Sequence, residues 1–268
     1  MEIRKRQQVV QTVVHERGSK SELLMGKRKR DDYWEFLGGK LEDEEDVLEA
    51  GLRELREETQ VNINVDDVID HRRGESYRSE DDGKFVLNPL ELIVEEGTFS
   101  QMDIDEMPEH SEYAWVSIND FYSYESLGQY QALENLNIVN GDVAIAVPFN
   151  GDKYLLMKRS ESNTSSGFWS FPGGKIENNE ENREAVLREL DEETQLQGDI
   201  KNAGEPYIDE GQLGYWRIFP FLIRVGDEDP VMDEEHSDYE WFELNALDEK
   251  ETLGELKAIE KLNLVERR

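Results

Sequence analysis

The chain contains no cysteine, so disulfide bonds and metal sites built on thiolates are excluded. It also lacks an apolar run long enough to cross a membrane, and no apolar region of signal-peptide length follows its basic N-terminus, MEIRKRQQVV. These absences predict a soluble, cytoplasmic protein with no membrane partner.

Positive charge is scarce, because only 30 Lys and Arg residues face 63 Asp and Glu residues, for a formal net charge of −33. Such a surface repels nucleic acid, so binding of DNA or RNA in a basic groove is not expected. The excess of carboxylates is typical of proteins from halophiles, since molar salt screens their mutual repulsion. Most single acidic residues are therefore expected to be solvated surface groups.

The sequence contains an internal repeat. FLGGKLE (36–42) recurs as FPGGKIE (171–177), RELREETQV (53–61) recurs as RELDEETQL (188–196), and EHSEYAWVSIN (109–119) recurs as EHSDYEWFELN (235–245). Hydrophobic residues make up 37% of the 268 residues, which is enough for two ordinary cores. We predict two domains, 1–139 and 140–268, with the boundary in the turn-forming sequence VNGD (139–142).

Both copies show the same order of elements. Two strands precede a Gly-Gly turn and a helix, and extended segments, a strand centred on a Trp and a closing helix follow. The predicted strands are 9–15, 22–27, 84–95 and 113–116 in the first copy, and 143–149, 153–158, 215–225 and 239–242 in the second. Strands mixed with two helices per copy predict an α/β or α+β fold.

Each copy has three Glu residues on one face of its first helix, since positions i, i+3 and i+4 of a helix lie together. They are Glu54, Glu57 and Glu58 in the first copy, and Glu189, Glu192 and Glu193 in the second. Three like charges within one turn oppose helix formation, so a cation is expected there. Hard oxygen ligands suit Mg²⁺, with Mn²⁺ as the alternative.

The spacing of these residues resembles the Nudix box, and the flanking sequences YWEFLGGKLE and FWSFPGGKIE are similar to the MutT-type branch of that family. The box is met by Gly39, Glu45, Arg53, Glu54, Leu55, Glu57 and Glu58, and again by Gly174, Glu180, Arg188, Glu189, Leu190, Glu192 and Glu193. The resemblance covers both copies and implies two tandem Nudix folds, each a mixed β-sheet sandwiched between helices. One departure is shared: Gln60 and Gln195 stand where the family has a Gly at the helix end.

The resemblance also implies roles for residues of the two boxes. The three helix carboxylates of each copy would bind the catalytic Mg²⁺, together with the carbonyl of Gly38 or Gly173. Arg53 and Arg188 would pair with Glu45 and Glu180 and so orient the carboxylates.

Residues outside the boxes are candidates for further roles. By resemblance, Glu109 and Glu235 would be a further metal ligand or the general base, whereas His110 and His236 are expected only to hydrogen bond within their loops. Trp34, Trp169 and Trp216 are candidates for stacking on a substrate base, against the plainer reading that an aromatic residue in a strand belongs to the core.

The function implied is a Mg²⁺-dependent pyrophosphohydrolase that cleaves a diphosphate linkage in nucleoside triphosphates or related nucleoside diphosphate derivatives. One alternative is a sensor that binds a nucleotide or ADP-ribose without turnover. Another is one active half beside a structural half; Leu37, where the second copy has Pro172, makes the first half the weaker candidate, although its carboxylate set is complete. By family analogy the halves would form a pseudo-dimer within one chain, and a homodimer of whole chains is compatible with the same analogy.

Overall fold

The computed structural model describes residues 6–19, 21–79, 84–100, 102, 109–126, 129–161, 165–211 and 213–264. The chain divides into two compact units, residues 1–139 and 140–268, here called the first and the second unit. Among the described residues, no helix is long and apolar enough to cross a membrane.

The first unit contains seven strands and two α-helices among its described residues. These are β1 (Gln7–Glu16), β2 (Glu22–Arg28), β3 (Trp34–Glu35), α1 (Val47–Thr59), β4 (Val68–Arg73), β5 (Tyr77–Arg78), β6 (Phe85–Val94), β7 (His110–Ser117) and α2 (Tyr130–Asn135). β1 pairs in parallel with β6, which also pairs in antiparallel fashion with β4 and β5. A second, antiparallel sheet has the order β3-β2-β7.

The second unit repeats this plan. Its elements are β8 (Val139–Asn150), β9 (Lys153–Arg159), β10 (Trp169–Ser170), β11 (Gly173–Lys175), α3 (Asn182–Thr194), β12 (Gly198–Ala203), β13 (Tyr207–Gly211), β14 (Gly214–Val225), β15 (His236–Phe242) and α4 (Glu255–Lys261). Among the described residues of this unit, one sheet carries all eight strands, with the path β10-β9-β8-β14-β12; β11 pairs with β8, β13 with β14 and β15 with β9.

Alternation along β8 places a helix on each face of this sheet, because successive side chains of a strand point to opposite faces. Ala144 and Ala146 pack in one core cluster with Val186 and Leu190 of α3. Val147, from the other face, packs with residues that include Ile259 of α4. The predicted α+β fold, a mixed sheet between helices, is confirmed.

The expected turn at VNGD is absent from the structure. Val139 is the first residue of β8. The turn lies before it, at Asn137, which adopts a left-handed conformation with φ 51°. Val139 is buried, so its side chain favours the strand, and Gly141 is accommodated within it at φ 141°. Local turn composition was therefore outweighed by strand pairing.

Candidate functional site

The helices that carry the carboxylates begin and end in equivalent ways. Asp46 caps α1 by accepting hydrogen bonds from the N–H groups of Leu48 and Glu49, and the Glu49 side chain accepts one from the Asp46 N–H. At the other end, Gln60 and Gln195 take the left-handed conformation, with φ 58° and 55°. The helix therefore ends where a Gly would end it, at a cost of about 1 kcal/mol in backbone strain.

One arginine in each unit holds two carboxylates in place. Arg53 donates from Nε and Nη2 to both oxygens of Glu45, each at 2.9 Å, and from Nη1 to Glu54 at 2.8 Å. Arg53 also donates to the carbonyl of Lys40 at 2.8 Å, which ties the helix to the preceding loop. Its hydrogen bonds hold the pKa of Glu45 below the ordinary value. These are the contacts that orientation of the carboxylates by Arg53 would require, and the role itself stays a prediction.

The second unit repeats the arrangement around Arg188. Its guanidinium donates to Glu180 at 2.9 and 3.0 Å, to Glu189 at 2.7 Å and to the carbonyl of Lys175 at 3.1 Å. It also reaches Glu192 at 3.0 Å, whereas the corresponding ion pair between Arg53 and Glu57 measures 3.5 Å.

The Gly-Gly segments, which were predicted as turns, pack directly against the carboxylates; in the second unit the segment is instead strand β11, because Gly173–Lys175 pairs with β8. A Cβ atom on Gly39 would lie 2.4 Å from the Glu54 carboxylate, and a Cβ on Gly174 would lie 2.4 Å from that of Glu189. The N–H groups of Gly38 and Gly173 each donate at 3.1 Å, to Glu58 and Glu193 respectively. Glycine is needed because a side chain would displace the carboxylates.

Glu58 and Glu193 are the most deeply placed members of each cluster, with exposed fractions of 5% and 8%. Burial, followed by the charges of Glu35 and Glu54, raises the pKa of Glu58 well above the ordinary value. Burial raises the pKa of Glu193 to about 8, against the opposing hydrogen bond from Gly173. A bound divalent cation would stabilise these carboxylates in the charged form, so the donor set fits Mg²⁺ or Mn²⁺.

The remaining predicted carboxylates lie at the mouth of each cluster. Glu57 and Glu192 have side chains that are 60% exposed. Glu109 and Glu235 are also exposed, yet the charge of Glu109 raises the pKa of Glu54 and Glu58, and that of Glu235 raises the pKa of Glu193. Both therefore lie close enough to act on the buried carboxylates.

Sequence reasoning missed one acidic residue in each unit. In the second unit, ligand atoms of Glu193, Asp233 and His236 lie within 4.8 Å of one another, with Asp233 2.8 Å from the Nδ1 atom of His236. In the first unit, Glu35 lies 3.2 Å from the Nε2 atom of His110 and raises the pKa of Glu58. The two histidines thus hydrogen bond within the site. Nothing in the spacing singled out either acid among 63 acidic residues.

A cavity of about 620 Å³ adjoins the carboxylates of the second unit. Gly173 and Gly174 of β11 form part of its wall, which also carries the basic residues Arg159 and Lys175 and the acidic residues Asp209 and Glu210. The other lining residues include Ile145, Tyr207, Trp216, Ile218 and Glu255. The two glycines therefore separate the carboxylate cluster from a largely apolar and aromatic cavity, and contact the cluster through Glu193 and Glu189.

The three tryptophan candidates occupy different surroundings. Trp216 lines the cavity, and the Lys175 ammonium lies 4.7 Å from its ring centroid. Trp169 packs against the ammonium group of Lys250, 4.8 Å away, and Trp34 meets Tyr124 edge to face at 5.1 Å. Among the three, the structure places Trp216 where a base could stack.

In the first unit, polar side chains occupy the positions that line the cavity in the second. Val9 pairs with Lys40 in the first unit, and Val143 pairs with Lys175 in the second, so Val9 and Val143 are equivalent positions. Two residues further along each strand, Gln11 therefore corresponds to Ile145. The Gln11 side chain is 7% exposed, donates to Gln129 at 3.2 Å and accepts a hydrogen bond from the Tyr77 hydroxyl. A hydrogen-bonded chain of side chains therefore fills this part of the first unit.

The turn itself does not distinguish the units. The carbonyl of Leu37 accepts a hydrogen bond from Thr12 at 2.7 Å, and that of Pro172 accepts one from Ala146 at 2.8 Å. Leu37 and Pro172 therefore make the same backbone hydrogen bond ahead of the two glycines. The units differ instead in the side chains at the positions that line the cavity.

The sequence model of the NUDIX domain family matches residues 5–136 and again residues 139–262. The CTP pyrophosphohydrolase of Escherichia coli (strain K12) is 36% identical over 59 residues, which cover 22% of this chain and 44% of that protein. The 8-oxo-dGTP diphosphatase of Proteus vulgaris is 50% identical over 39 residues, which cover 15% of this chain and 35% of that protein. The chain thus spans less than half the length of either relative.

Among solved structures, the MutT NUDIX hydrolase from Burkholderia pseudomallei aligns with 26% identity and a TM-score of 0.39, over 46% of this chain and 97% of that one.

Proposed function

We propose that this protein, which belongs to the NUDIX domain family, is a divalent-cation-dependent pyrophosphohydrolase that cleaves a diphosphate linkage of nucleoside triphosphates or related nucleotides. We assign turnover to the second unit. The carrying observation is that Gly173 and Gly174, which hold Glu193 and Glu189, also form the wall of the 620 Å³ cavity. A nucleotide in this cavity would therefore present its phosphates to the carboxylates.

Different residues of the second unit would bind the cation and orient its ligands. Glu189, Glu192 and Glu193 would hold Mg²⁺, with Asp233 and the carbonyl of Gly173 as further oxygen donors. The cation supplies charge neutralisation for the phosphates and lowers the pKa of a bound water. Arg188 fixes the carboxylates through its contacts with Glu180 and Glu189.

The phosphates of a nucleotide would also meet protein cations. Arg159 and Lys175 line the cavity, so their charges offset part of the acidic charge that a nucleotide must approach, to which Asp209, Glu210 and Glu255 contribute within the lining itself. Glu235 lies 3.8 Å from Arg159 and is exposed, and we assign it to accept the proton of the attacking water. The water then attacks a phosphorus atom of the diphosphate linkage, in line with the bond to the leaving phosphate.

The names of the two relatives, a CTP pyrophosphohydrolase and an 8-oxo-dGTP diphosphatase, support a nucleoside triphosphate as the substrate. The excess of acidic residues supports activity in concentrated salt, as expected for a halophile's enzyme.

One active half beside a structural half is the second candidate, and the side chains of the first unit favour it. Its cluster of Glu54, Glu57 and Glu58 is complete, but the Gln11–Gln129 pair occupies positions of the nucleotide cavity. We therefore assign cation binding to both units and nucleotide turnover to the second.

The test compares Glu57→Gln with Glu192→Gln, a matched pair because both side chains are 60% exposed. Wild type, both variants and the double variant are incubated in high salt with Mg²⁺ and a panel of nucleoside triphosphates, dinucleoside polyphosphates and ADP-ribose. Products are separated by chromatography. Glu192→Gln is expected to lower turnover by about 100-fold or more, whereas Glu57→Gln leaves it within about twofold.

Equal losses in the two single variants would contradict the assignment to the second unit. Absence of turnover by the wild type, with binding retained, would favour the sensor over the hydrolase.

A further inference from the structure

The histidines beside the two carboxylate clusters occupy equivalent positions but have different neighbours. His110 pairs with Arg28 across β2 and β7, and His236 pairs with Arg159 across β9 and β15. Both side chains are buried, with exposed fractions of 0% and 6%. Their different contacts therefore have a cause in the residues packed around them.

In the first unit, both ring nitrogens of His110 have partners. The Nε2 atom lies 3.2 Å from Glu35, and the Nδ1 atom lies 2.9 Å from the hydroxyl of Tyr113, which donates to the carbonyl of Glu58 at 3.0 Å. The ring lies against Gly26, where a Cβ atom would be 2.6 Å from the Cδ2 atom of His110. The place of His110 therefore depends on the absence of a side chain at position 26.

The second unit has side chains that exclude this arrangement. Strand pairing places Met157 at the position of Gly26. It also places Ser170 at the position of Glu35. The Cβ atom of Met157 leaves no room for a ring placed as His110 is. The Oγ atom of Ser170 is buried and makes no hydrogen bond with any residue that the structure describes, so no histidine takes the place of the first unit's ring beside it.

His236 lies beside the deepest carboxylate of the second unit. Its Nδ1 atom is 2.8 Å from Asp233, and ligand atoms of His236, Asp233 and Glu193 lie within 4.8 Å of one another. Ligands that lie about 2.1 Å from one cation are about 3–4 Å from each other. Small movements of the three side chains are therefore enough for them to share an ion. Neither Asp233 nor His236 belongs to the box.

A nitrogen ligand changes which cation a site prefers. Mg²⁺ is bound by oxygen atoms and retains much of its water, whereas transition-metal dications accept imidazole nitrogen, with an affinity that rises from Mn²⁺ toward Zn²⁺. The carboxylates of Glu193 and Asp233 supply two negative charges beside the ring of His236. In the first unit, Glu35 and Tyr113 already engage the corresponding ring.

We propose that His236, kept out of the place of His110 by Met157, is a nitrogen ligand for a transition-metal dication. Asp233 and Glu193 would bind the same ion, so the second unit would prefer Mn²⁺, Co²⁺ or Zn²⁺ to Mg²⁺, and the first unit would bind cations through oxygen atoms. Because Glu193 also belongs to the box, this inference rests on the cation site of the proposed function and specifies its occupant.

The test is pulsed electron paramagnetic resonance of the full chain with Mn²⁺, which detects a nitrogen nucleus coupled to the bound ion. Exposed carboxylates also bind Mn²⁺ but give no such coupling, and the chain contains only four His residues. The wild type is expected to show nitrogen coupling that persists in an excess of Mg²⁺ of about tenfold. His236→Asn should lose the coupling, whereas His110→Asn, the control at the equivalent position, should keep it.

A further variant moves the histidine without removing it. Met157→Gly combined with Ser170→Glu gives His236 the neighbours that His110 has, so the ring should turn away from Asp233 and the nitrogen coupling should be lost. Thermal unfolding of each variant checks that the fold is intact. If His236→Asn does not fold, the wild type and the double variant decide the question.

Bound Mn²⁺ without nitrogen coupling in the wild type overturns the inference, as does unchanged coupling in a folded His236→Asn protein or in the folded double variant. Equal loss in His110→Asn and His236→Asn also overturns it. Nucleotide turnover without nitrogen coupling would remove the nitrogen ligand and leave the proposed hydrolase standing. Nitrogen coupling without turnover of any nucleotide would contradict the hydrolase and support the role of His236.

Discussion

Replacing Glu193 by glutamine should stabilise the metal-free protein and abolish the response of the second unit to a divalent cation. Glu193 is 8% exposed, and burial raises its pKa to about 8 from the ordinary 4.5. Each pKa unit corresponds to about 1.36 kcal/mol, so ionisation of Glu193 costs the folded state at most about 5 kcal/mol. Water entering the cluster relieves part of this cost, and we expect a stabilisation of about 2 kcal/mol from the neutral amide.

The sign of the pH dependence follows from the raised pKa. Between pH 4.5 and about 8 the folded state binds more protons at Glu193 than the unfolded state does, so the contribution of this group to stability falls as the pH rises. The difference between Glu193→Gln and wild type should therefore be small near pH 5 and largest near pH 9. There, about 2 kcal/mol corresponds to a rise in melting temperature of roughly 5 °C or more.

The assay is thermal unfolding of the full chain by calorimetry in a metal-chelating buffer and again with Mg²⁺. The unfolding transition of the second unit should gain stability with Mg²⁺ in the wild type but little in Glu193→Gln, because a principal ligand of that unit has lost its charge. Glu192→Gln makes the same charge change on the same helix at a 60% exposed side chain, and it should alter the metal-free melting temperature little at any pH. A metal-free Glu193→Gln protein that melts below wild type at pH 9 would refute this reasoning.

Three further changes test other parts of the site. Gly174→Ala places a Cβ atom 2.4 Å from the Glu189 carboxylate, so calorimetric titration with Mg²⁺ should show at least about tenfold weaker binding at the second unit; unchanged affinity would mean that the turn does not position the ligand. Trp216→Ala removes an aromatic wall of the cavity and should raise KM about tenfold with little effect on kcat, whereas an unchanged KM in steady-state kinetics would place the base elsewhere. Gln195→Gly relieves the left-handed φ of 55° at the end of α3 and should stabilise the protein by about 1 kcal/mol in urea unfolding; a loss of stability would show that the Gln195 side chain outweighs the strain.

The sequence predicted the fold wherever the two copies agreed with each other and with strand or helix periodicity. The strands 9–15 and 143–149 lie within β1 and β8, and both box helices are present. The boundary turn was placed wrongly because Asn-Gly-Asp composition describes local preference only. The four residues VNGD could not by themselves indicate that Val139 is buried or that it belongs to strand β8.

The site was predictable as far as the motif extends. The resemblance implied that Arg53 pairs with Glu45 and Arg188 with Glu180, and both pairs are hydrogen bonded in the structure, with each Glu preceding the helix that carries its Arg. Asp233 and Glu255 come from other segments and approach the site only through folding, in a chain where acidic residues are too common for spacing to be informative. The exchange of Gln129 for Glu255 was visible in the repeat, but its meaning depends on the cavity beside it.

The first unit shows why a complete box does not by itself indicate nucleotide turnover. Glu58 is as deeply buried as Glu193, and its pKa is likewise raised by burial and by neighbouring carboxylates. Without a cation, this arrangement costs stability that an apolar residue would not cost. We propose that the first unit binds a cation at this cluster. The side chains of Gln11 and Gln129 are hydrogen bonded to each other at positions that correspond to the cavity wall of the second unit, which supports our assignment of nucleotide recognition to the second unit.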